Sequence, residues 1–228
     1  MILRGMYEPQ NGREKKESPH LETDHSRRHV AIFSLIAAVN LAHAQGGSVY
    51  FGVGTATDSS SNQSGDTFGT GNPYTTPKMT GSFGTVGAEV MFRSYLGFGG
   101  EATFRFRQGP YAGLNYRPTF YDFNAIFLPL PKATRVVPEF QAGLGGAKLS
   151  FYYPQQFCSV FAGCQTSNSY LLSSNHFQLH AAAGLRIYVT RNTFIRPQAD
   201  LHYVANFFQF GSDRVHQYSL AIGYTFGR

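Results

Sequence analysis

Apolar and polar residues alternate with a period of two in several stretches of about ten residues. In 96–107, Phe98 and Phe104 share one set of positions, while Glu101 and Arg105 fall on the other. Successive side chains of a β-strand point to opposite faces, so each stretch predicts a strand with one apolar and one polar face. Eight strands are predicted, at 47–57, 80–92, 96–107, 115–127, 135–149, 175–189, 194–204 and 214–226.

Charged residues of both signs stand in the middle of these strands, on the face opposite the apolar one. A soluble β-sandwich also alternates, but its polar face meets water and has no need of paired charges. Mixed charges opposite a continuous apolar face favour a barrel with lipid outside and a polar interior. The residues predicted to form this interior ionic network are Glu89, Glu101, Arg105, Asp122, Glu139, Arg186, Arg196 and Asp200.

The connections between the predicted strands tend to alternate between short and long. The connections at 93–95, 128–134 and 190–193 alternate with those at 58–79, 108–114, 153–174 and 205–213; the second set is the longer, except that 108–114 and 128–134 have the same length. Short turns at one end and long loops at the other are typical of outer-membrane barrels. We therefore expect an all-β fold, an eight-stranded antiparallel up-and-down transmembrane β-barrel, with a soluble sandwich or soluble barrel as the alternative.

Composition supports the membrane interpretation. Charged residues make up 14% of the chain, against about 25% in an ordinary soluble domain. Aromatic residues make up 15%, all of them Tyr and Phe, which is enough for aromatic girdles at the two membrane interfaces. A protein whose outer face is covered by lipid needs fewer surface charges.

The N-terminal region has the layout of a secretory signal peptide. A basic flank at 26–29 precedes an apolar stretch at 30–41, and Ala42 and Ala44 supply the small residues of a cleavage site. We expect cleavage between Ala44 and Gln45, so that 1–44 is removed and 45–228 is the transmembrane barrel. The mature part has 13 Lys and Arg against 8 Asp and Glu, with no basic run, so a nucleic-acid partner is not expected.

Two cysteines, Cys158 and Cys164, are separated by five residues. Export to an oxidising compartment permits a disulfide between them, and two free thiols are the alternative. Two thiols alone do not form a zinc site, which needs four ligands.

The interior of an eight-stranded barrel is just wide enough to be filled by its own side chains. Buried charges are costly unless they are paired, so we expect the inward charges to pair with one another. His180 and His202 fall on the inward faces of neighbouring strands, near Asp200. Packing in the polar interior accounts for them better than metal binding, because no metal-ligand motif accompanies them. We predict no metal and no cofactor.

The signal peptide, the eight strands and the aromatic last strand, 218–226, resemble the small outer-membrane β-barrel family that includes the membrane domains of OmpA and OmpX. The resemblance covers the mature chain. It implies a location in the bacterial outer membrane, contact with outer-membrane lipid, and recognition of the last strand by the barrel-assembly machinery. The family usually ends on an aromatic residue, whereas here Gly227 and Arg228 follow Phe226.

Three functions are compatible with such a barrel. We expect a structural or surface-interaction role, with an extracellular ligand that the sequence does not identify. A small passive channel is the alternative, and a lipid-modifying enzyme is a more distant one. Lipid A deacylases on this fold have a His-x-Ser motif, but His216 and Ser219 have a different spacing and fall on opposite faces of the predicted strand. We therefore expect no enzymatic activity.

Overall fold

A computed structural model describes residues 46–60, 63–66, 69–130, 135–159, 163–207 and 210–227. The predicted signal peptide and the cleavage position between Ala44 and Gln45 lie outside these ranges, so both stay predictions.

The described residues form eight long antiparallel strands, each hydrogen-bonded to the next along the chain. The first and last strands also pair, from Gly47 opposite Phe226 to Asp58 opposite Val215, and this pairing closes the barrel. Among the described residues, no helix is long and apolar enough to cross a membrane. The strands are β1 Gly46–Asp58, β2 Phe83–Met91, β3 Leu96–Arg105, β4 Leu114–Phe127, β5 Val136–Ser159, β6 Gly163–Tyr188, β7 Thr193–Val204 and β8 Arg214–Phe226. The predicted fold class is therefore confirmed.

The two faces of each strand differ as the alternation predicts. In β7, Ile195, Leu201 and Tyr203 are exposed on the outside, whereas Arg196 and His202 are buried inside. The same alternation runs through β8 and through the C-terminal part of β6. The outer surface is consequently a continuous apolar band, which is the surface that lipid would cover.

The barrel has two dissimilar ends. The connections at 92–95, 128–135 and 189–192 lie at one end, here called the inner end, and those at 59–82, 106–113 and 205–213 lie at the other, here called the outer end. In barrels of this type the longer loops face the cell exterior.

The prediction of a long loop at 153–174 is wrong. Strands β5 and β6 run on through this segment as a hairpin, from Tyr153 opposite Ser169 to Ser159 opposite Gly163. Strand β4 pairs with β5 only as far as Tyr152, so the hairpin stands beyond its neighbours as a two-stranded ribbon. Neither face of a ribbon is buried, and the sequence therefore has no apolar period to reveal it.

Cross-strand contacts hold this outer hairpin, residues 153–174, together. The disulfide joins Cys158 and Cys164, which are directly opposite each other, and the predicted bond is thereby confirmed. At the base, the rings of Tyr152 and Tyr170 pack edge to face with centroids 6.0 Å apart. Such pairs are the main stabilising contacts available to a ribbon without a core.

Candidate functional site

The centre of the barrel contains a cluster of buried ions built around Arg196. This guanidinium donates to Glu101 Oε2 at 2.8 Å and to Glu139 Oε1 at 3.2 Å. Its Cζ also lies 3.5 Å from the centre of the Tyr50 ring, and the Tyr50 hydroxyl donates to Glu101 at 2.8 Å. Strand β7 therefore reaches across the interior to β3, since Arg196 and Glu101 belong to strands that are not neighbours.

A second guanidinium, that of Arg186 on β6, completes the cluster. It holds both oxygens of Glu89 at 2.8 Å and also donates to Glu139. Glu139 is thus shared by both arginines. Three carboxylates and two guanidiniums are buried together, and each ion has at least one opposite charge beside it. That condition is what makes buried ions tolerable.

A second polar group lies beside this cluster and is centred on His180. Its Nδ1 is 2.8 Å from Asn124 Oδ1 and 3.3 Å from Asp122, and its Nε2 is 3.1 Å from Asp200. The imidazole therefore lies between two buried carboxylates. Asp200 also accepts a hydrogen bond from Gln198.

Seven of the eight residues predicted for the ionic network are buried in the barrel interior, and Arg105 is the exception. It lies at the outer end of β3, where it is only partly buried. There it donates to the backbone oxygen of Thr80 at 2.6 Å and to the hydroxyl of Tyr116 at 3.0 Å. The alternation in β3 places Arg105 on the inward face. Its guanidinium donates hydrogen bonds to backbone carbonyl groups of the 59–82 loop, so it does not extend to the ions nearer the centre of the barrel.

His202 links the polar interior to the outer end by ring stacking. Its ring is stacked between those of His180 and Phe120, with ring centroids 4.7 Å and 4.8 Å away, respectively. Its side chain is buried in the interior, with an aromatic ring against each of its two faces. His202 therefore acts as a flat packing element between the polar interior and the apolar layer above it.

Asp122, His180 and His202 bring potential metal ligands within 4.8 Å of one another. The two imidazole rings are stacked with an interplanar angle of 19°, so their in-plane lone pairs do not converge on one point. Both nitrogens of His180 are also engaged by neighbouring side chains. The cluster is better described as stacked and hydrogen-bonded than as a metal site.

Apolar layers close the interior above and below the ions. At the outer end, side chains from the loops fold into the mouth and join those of the strands. Residues at the inner end form two smaller clusters, one with Met91, Ile126, Leu128 and Val137, and the other with Tyr50, Phe194 and Ala221. The outer layer, called the apolar cap below, contains Ala56, Met79, Phe83, Tyr111, Tyr116, Phe120, Ala147, Leu149, Phe151, Val204, Phe207, Phe210 and Val215.

Sequence reasoning did not identify Tyr50 as a member of the interior cluster. The ring of Tyr50 lies against Gly87 on β2, where an added Cβ would come within 2.1 Å of the ring. An inward glycine in register with an inward tyrosine on the neighbouring strand was the available signal. The glycine makes the space in which Tyr50 stacks on Arg196.

The structure also places the two residues considered for catalysis. His216 lies on the lipid-facing side of β8, whereas Ser219 is buried inside. They do not form a pair in which a base could activate a nucleophile.

No protein-family model matches the sequence, and no curated protein matches it. Among solved structures, the chain is similar to the outer membrane protein OprG from Pseudomonas aeruginosa, with 11% identity, a TM-score of 0.53, and coverage of 82% of this chain and 98% of that one. It is also similar to the neisserial surface protein A, with 15% identity, a TM-score of 0.50, and coverage of 81% and 98%. The outer membrane enzyme PagL matches with 16% identity over 77% and 97% of the chains, but its TM-score of 0.37 carries no argument about activity. The pairing of the strands and these two likenesses together show that the chain has the fold of the small bacterial outer-membrane β-barrels.

Proposed function

We propose that this protein is an integral outer-membrane barrel whose interior is sealed, and that its role is structural or is carried by the surface it presents at the outer end. Its partners are the lipid around the barrel and the barrel-assembly machinery, which would read the aromatic alternation of β8. An ion or solute path through the interior is not part of this function.

The observation that carries the proposal is the layering of the interior. The ionic cluster of Arg186 and Arg196 fills the centre, and toward the outer end His202 is stacked between His180 and Phe120. The apolar cap then closes the outer mouth. Water and ions would have to displace an apolar layer and break buried ion pairs to pass, and both steps are costly.

The outer hairpin supports the surface role. Segment 153–174 has no Asp, Glu, Lys or Arg, although it is exposed over most of its length. Its exposed large side chains include Tyr153, Phe157 and Tyr170. Aromatic residues are enriched at protein contacts and charged residues are depleted there, so this ribbon suits an uncharged or apolar contact surface.

We propose no catalytic role. The separation of His216 from Ser219 by the barrel wall supports this, and the ionized groups in the interior are committed to one another behind the apolar cap.

Conductance in planar lipid bilayers tests the sealed interior. The purified barrel should give no stable current steps at about 1 M salt, a condition under which water-filled porins conduct. A porin inserted in the same membrane serves as the positive control. Reproducible current steps that scale with salt concentration would show an open interior and would favour the channel function instead.

A further inference from the structure

The lipid-facing surface of β2 to β5 has a groove of about 730 Å³. Small residues, among them Ala125 and Ala142, form its bottom, and the large side chains of Phe98, Phe123 and Leu144 border it. Phe123 is 72% exposed, the most exposed large apolar side chain among the described residues. An elongated apolar chain makes more contacts in such a groove than it would on a flat surface.

Two cations lie above this groove, toward the outer end. Lys148 on β5 is on the same face as Leu144 and four residues farther up, about 13 Å at 3.3 Å per residue. Arg117 on β4 points to the same side, and its neighbour Thr119 pairs with Lys148. Arg117 and Lys148 therefore lie diagonally across two adjacent strands, offset by two residues, toward the outer end of the lipid-facing surface.

No acidic group offsets these charges on the outer surface of the described strands. All six Asp and Glu residues of the strands are buried in the interior. Arg117 contacts only the backbone oxygen of Phe106, at 3.5 Å, among the groups that the structure describes. A cation on the lipid face is tolerated only near an interface, where it can meet the headgroups. Arg117 and Lys148 consequently mark the level of the outer headgroups and offer them a positive site.

This combination distinguishes the groove from a neighbouring one. The neighbouring groove has a volume of about 660 Å³, shares Ala88 with the first, and is lined by Phe51, Val86 and Ile222. Strands β1 and β2, which form most of it, contain no Lys or Arg. The cation of β8 nearest to the outer end, Arg214, is eight residues above Ile222, about 26 Å along the strand.

We propose that the lipid-facing surface of β2 to β5 is a binding site for one lipid with an anionic phosphate headgroup. The phosphate would lie between Arg117 and Lys148, which donate charge-assisted hydrogen bonds to it. An acyl chain would descend along the ring of Tyr121, which lies over Gly146, into the groove beside Phe123. This inference rests on the membrane embedding in the proposed function and adds a specific lipid contact to it.

The chain has no Trp, so one introduced Trp is a unique fluorescent reporter. Phe123→Trp would place it at the groove, and Phe51→Trp would place it at the groove without cations. Each variant is reconstituted in phosphatidylcholine bilayers that contain a small fraction of a lipid with brominated acyl chains, which quench Trp on contact. The brominated lipid is either phosphatidic acid, with an anionic phosphate headgroup, or zwitterionic phosphatidylcholine.

At position 123 we expect brominated phosphatidic acid to associate roughly tenfold more strongly than brominated phosphatidylcholine, as two cations near a surface allow. Arg117→Gln combined with Lys148→Gln should remove the preference, and the matched change Arg214→Gln should preserve it. The reporter at position 51 should show no preference.

Equal quenching by the two lipids at position 123 would overturn the proposal, as would a preference that survives the double substitution. A preference of equal size at positions 51 and 123 would also overturn it, since it would reflect general attraction to the barrel. None of these results would affect the sealed interior, which the conductance experiment tests separately.

Discussion

The barrel interior and the outer hairpin are two parts of one sheet that are stabilised in opposite ways. Inside the barrel, buried ions such as Arg196 and Glu139 contact partners on distant strands. The hairpin contains no Asp, Glu, Lys or Arg, and most contacts of its described residues join its own two strands, as Tyr152 contacts Tyr170 at its base; one hydrogen bond, from Asn115 on β4 to Asn168, reaches a third strand. Strands β5 and β6 belong to both parts: nearer the inner end they enclose the interior, and at the outer end they form the hairpin.

This difference indicates that the closed barrel unfolds cooperatively, whereas the ribbon is stabilised by local contacts. Removing one ion from the interior leaves charges unpaired on several strands, so the whole barrel should be weakened. Removing a contact from the ribbon affects only its few neighbours, because loss of structure there exposes little further surface.

The largest effect should come from breaking the ionic cluster. Arg196→Leu leaves Glu101 and part of Glu139 without their partner in a buried site, and we expect a loss of about 3–5 kcal/mol in the free energy of unfolding. Arg186→Leu should behave similarly, since Glu89 depends on it. Denaturant unfolding in detergent micelles measures both losses.

The matched control for these variants is Lys148→Leu, which removes a cation from the exposed face of β5. Its effect on unfolding should stay within about 0.5 kcal/mol. If Arg186→Leu and Arg196→Leu were tolerated as well as this control, the two guanidiniums would not be the buried partners described above.

A somewhat smaller effect should follow from placing a charge on the lipid face. Ala183 lies midway along the lipid-facing part of β6 and is exposed. Ala183→Arg should cost about 2–4 kcal/mol in the free energy of unfolding from bilayers, because the charge would lie near the midplane. The comparison is Ser167→Arg, in the hairpin of the same strand, where water surrounds the side chain and no measurable loss is expected. Similar results for both positions would contradict the assignment of Ala183 to lipid.

The smallest global effect should come from the disulfide. Replacing Cys158 and Cys164 together with Ser should leave the unfolding transition of the barrel unchanged, since the bond closes only a short loop at the tip of the ribbon. Hydrogen exchange at 153–159 and 163–169 should nevertheless accelerate, because the two strands of the ribbon have lost the disulfide that joins them. A lower unfolding midpoint for the barrel would show that the two parts fold as one unit.

Much of the barrel could be predicted from the alternation alone. Strand β8 was predicted at 214–226 and occupies those residues, and β7 begins one residue before the predicted position. The alternation is informative there because one face meets lipid and the other is enclosed, which forces opposite chemistry on successive residues. In the hairpin both faces meet the same surroundings, and the same reasoning fails for that reason.

The partners within the interior could not be predicted. A period of two assigns Arg196 and Glu101 to the inside, but their contact depends on the width of the barrel and on which strands face each other across it. The apolar cap was missed for a related reason. Met79, Phe207 and Phe210 come from connections that lack any repeating pattern, and only the closed barrel gives them a place to pack.

The space at Gly87 has a consequence for how this sequence can diverge. Tyr50, Gly87 and Arg196 stand on three different strands, yet the tyrosine ring fills the volume left by the glycine and covers the guanidinium. A larger residue at position 87 is compatible only with a smaller one at position 50, and a smaller residue there uncovers the arginine. Related barrels should therefore vary at these three positions as a set, and a homologue that keeps Tyr50 should also keep Gly87.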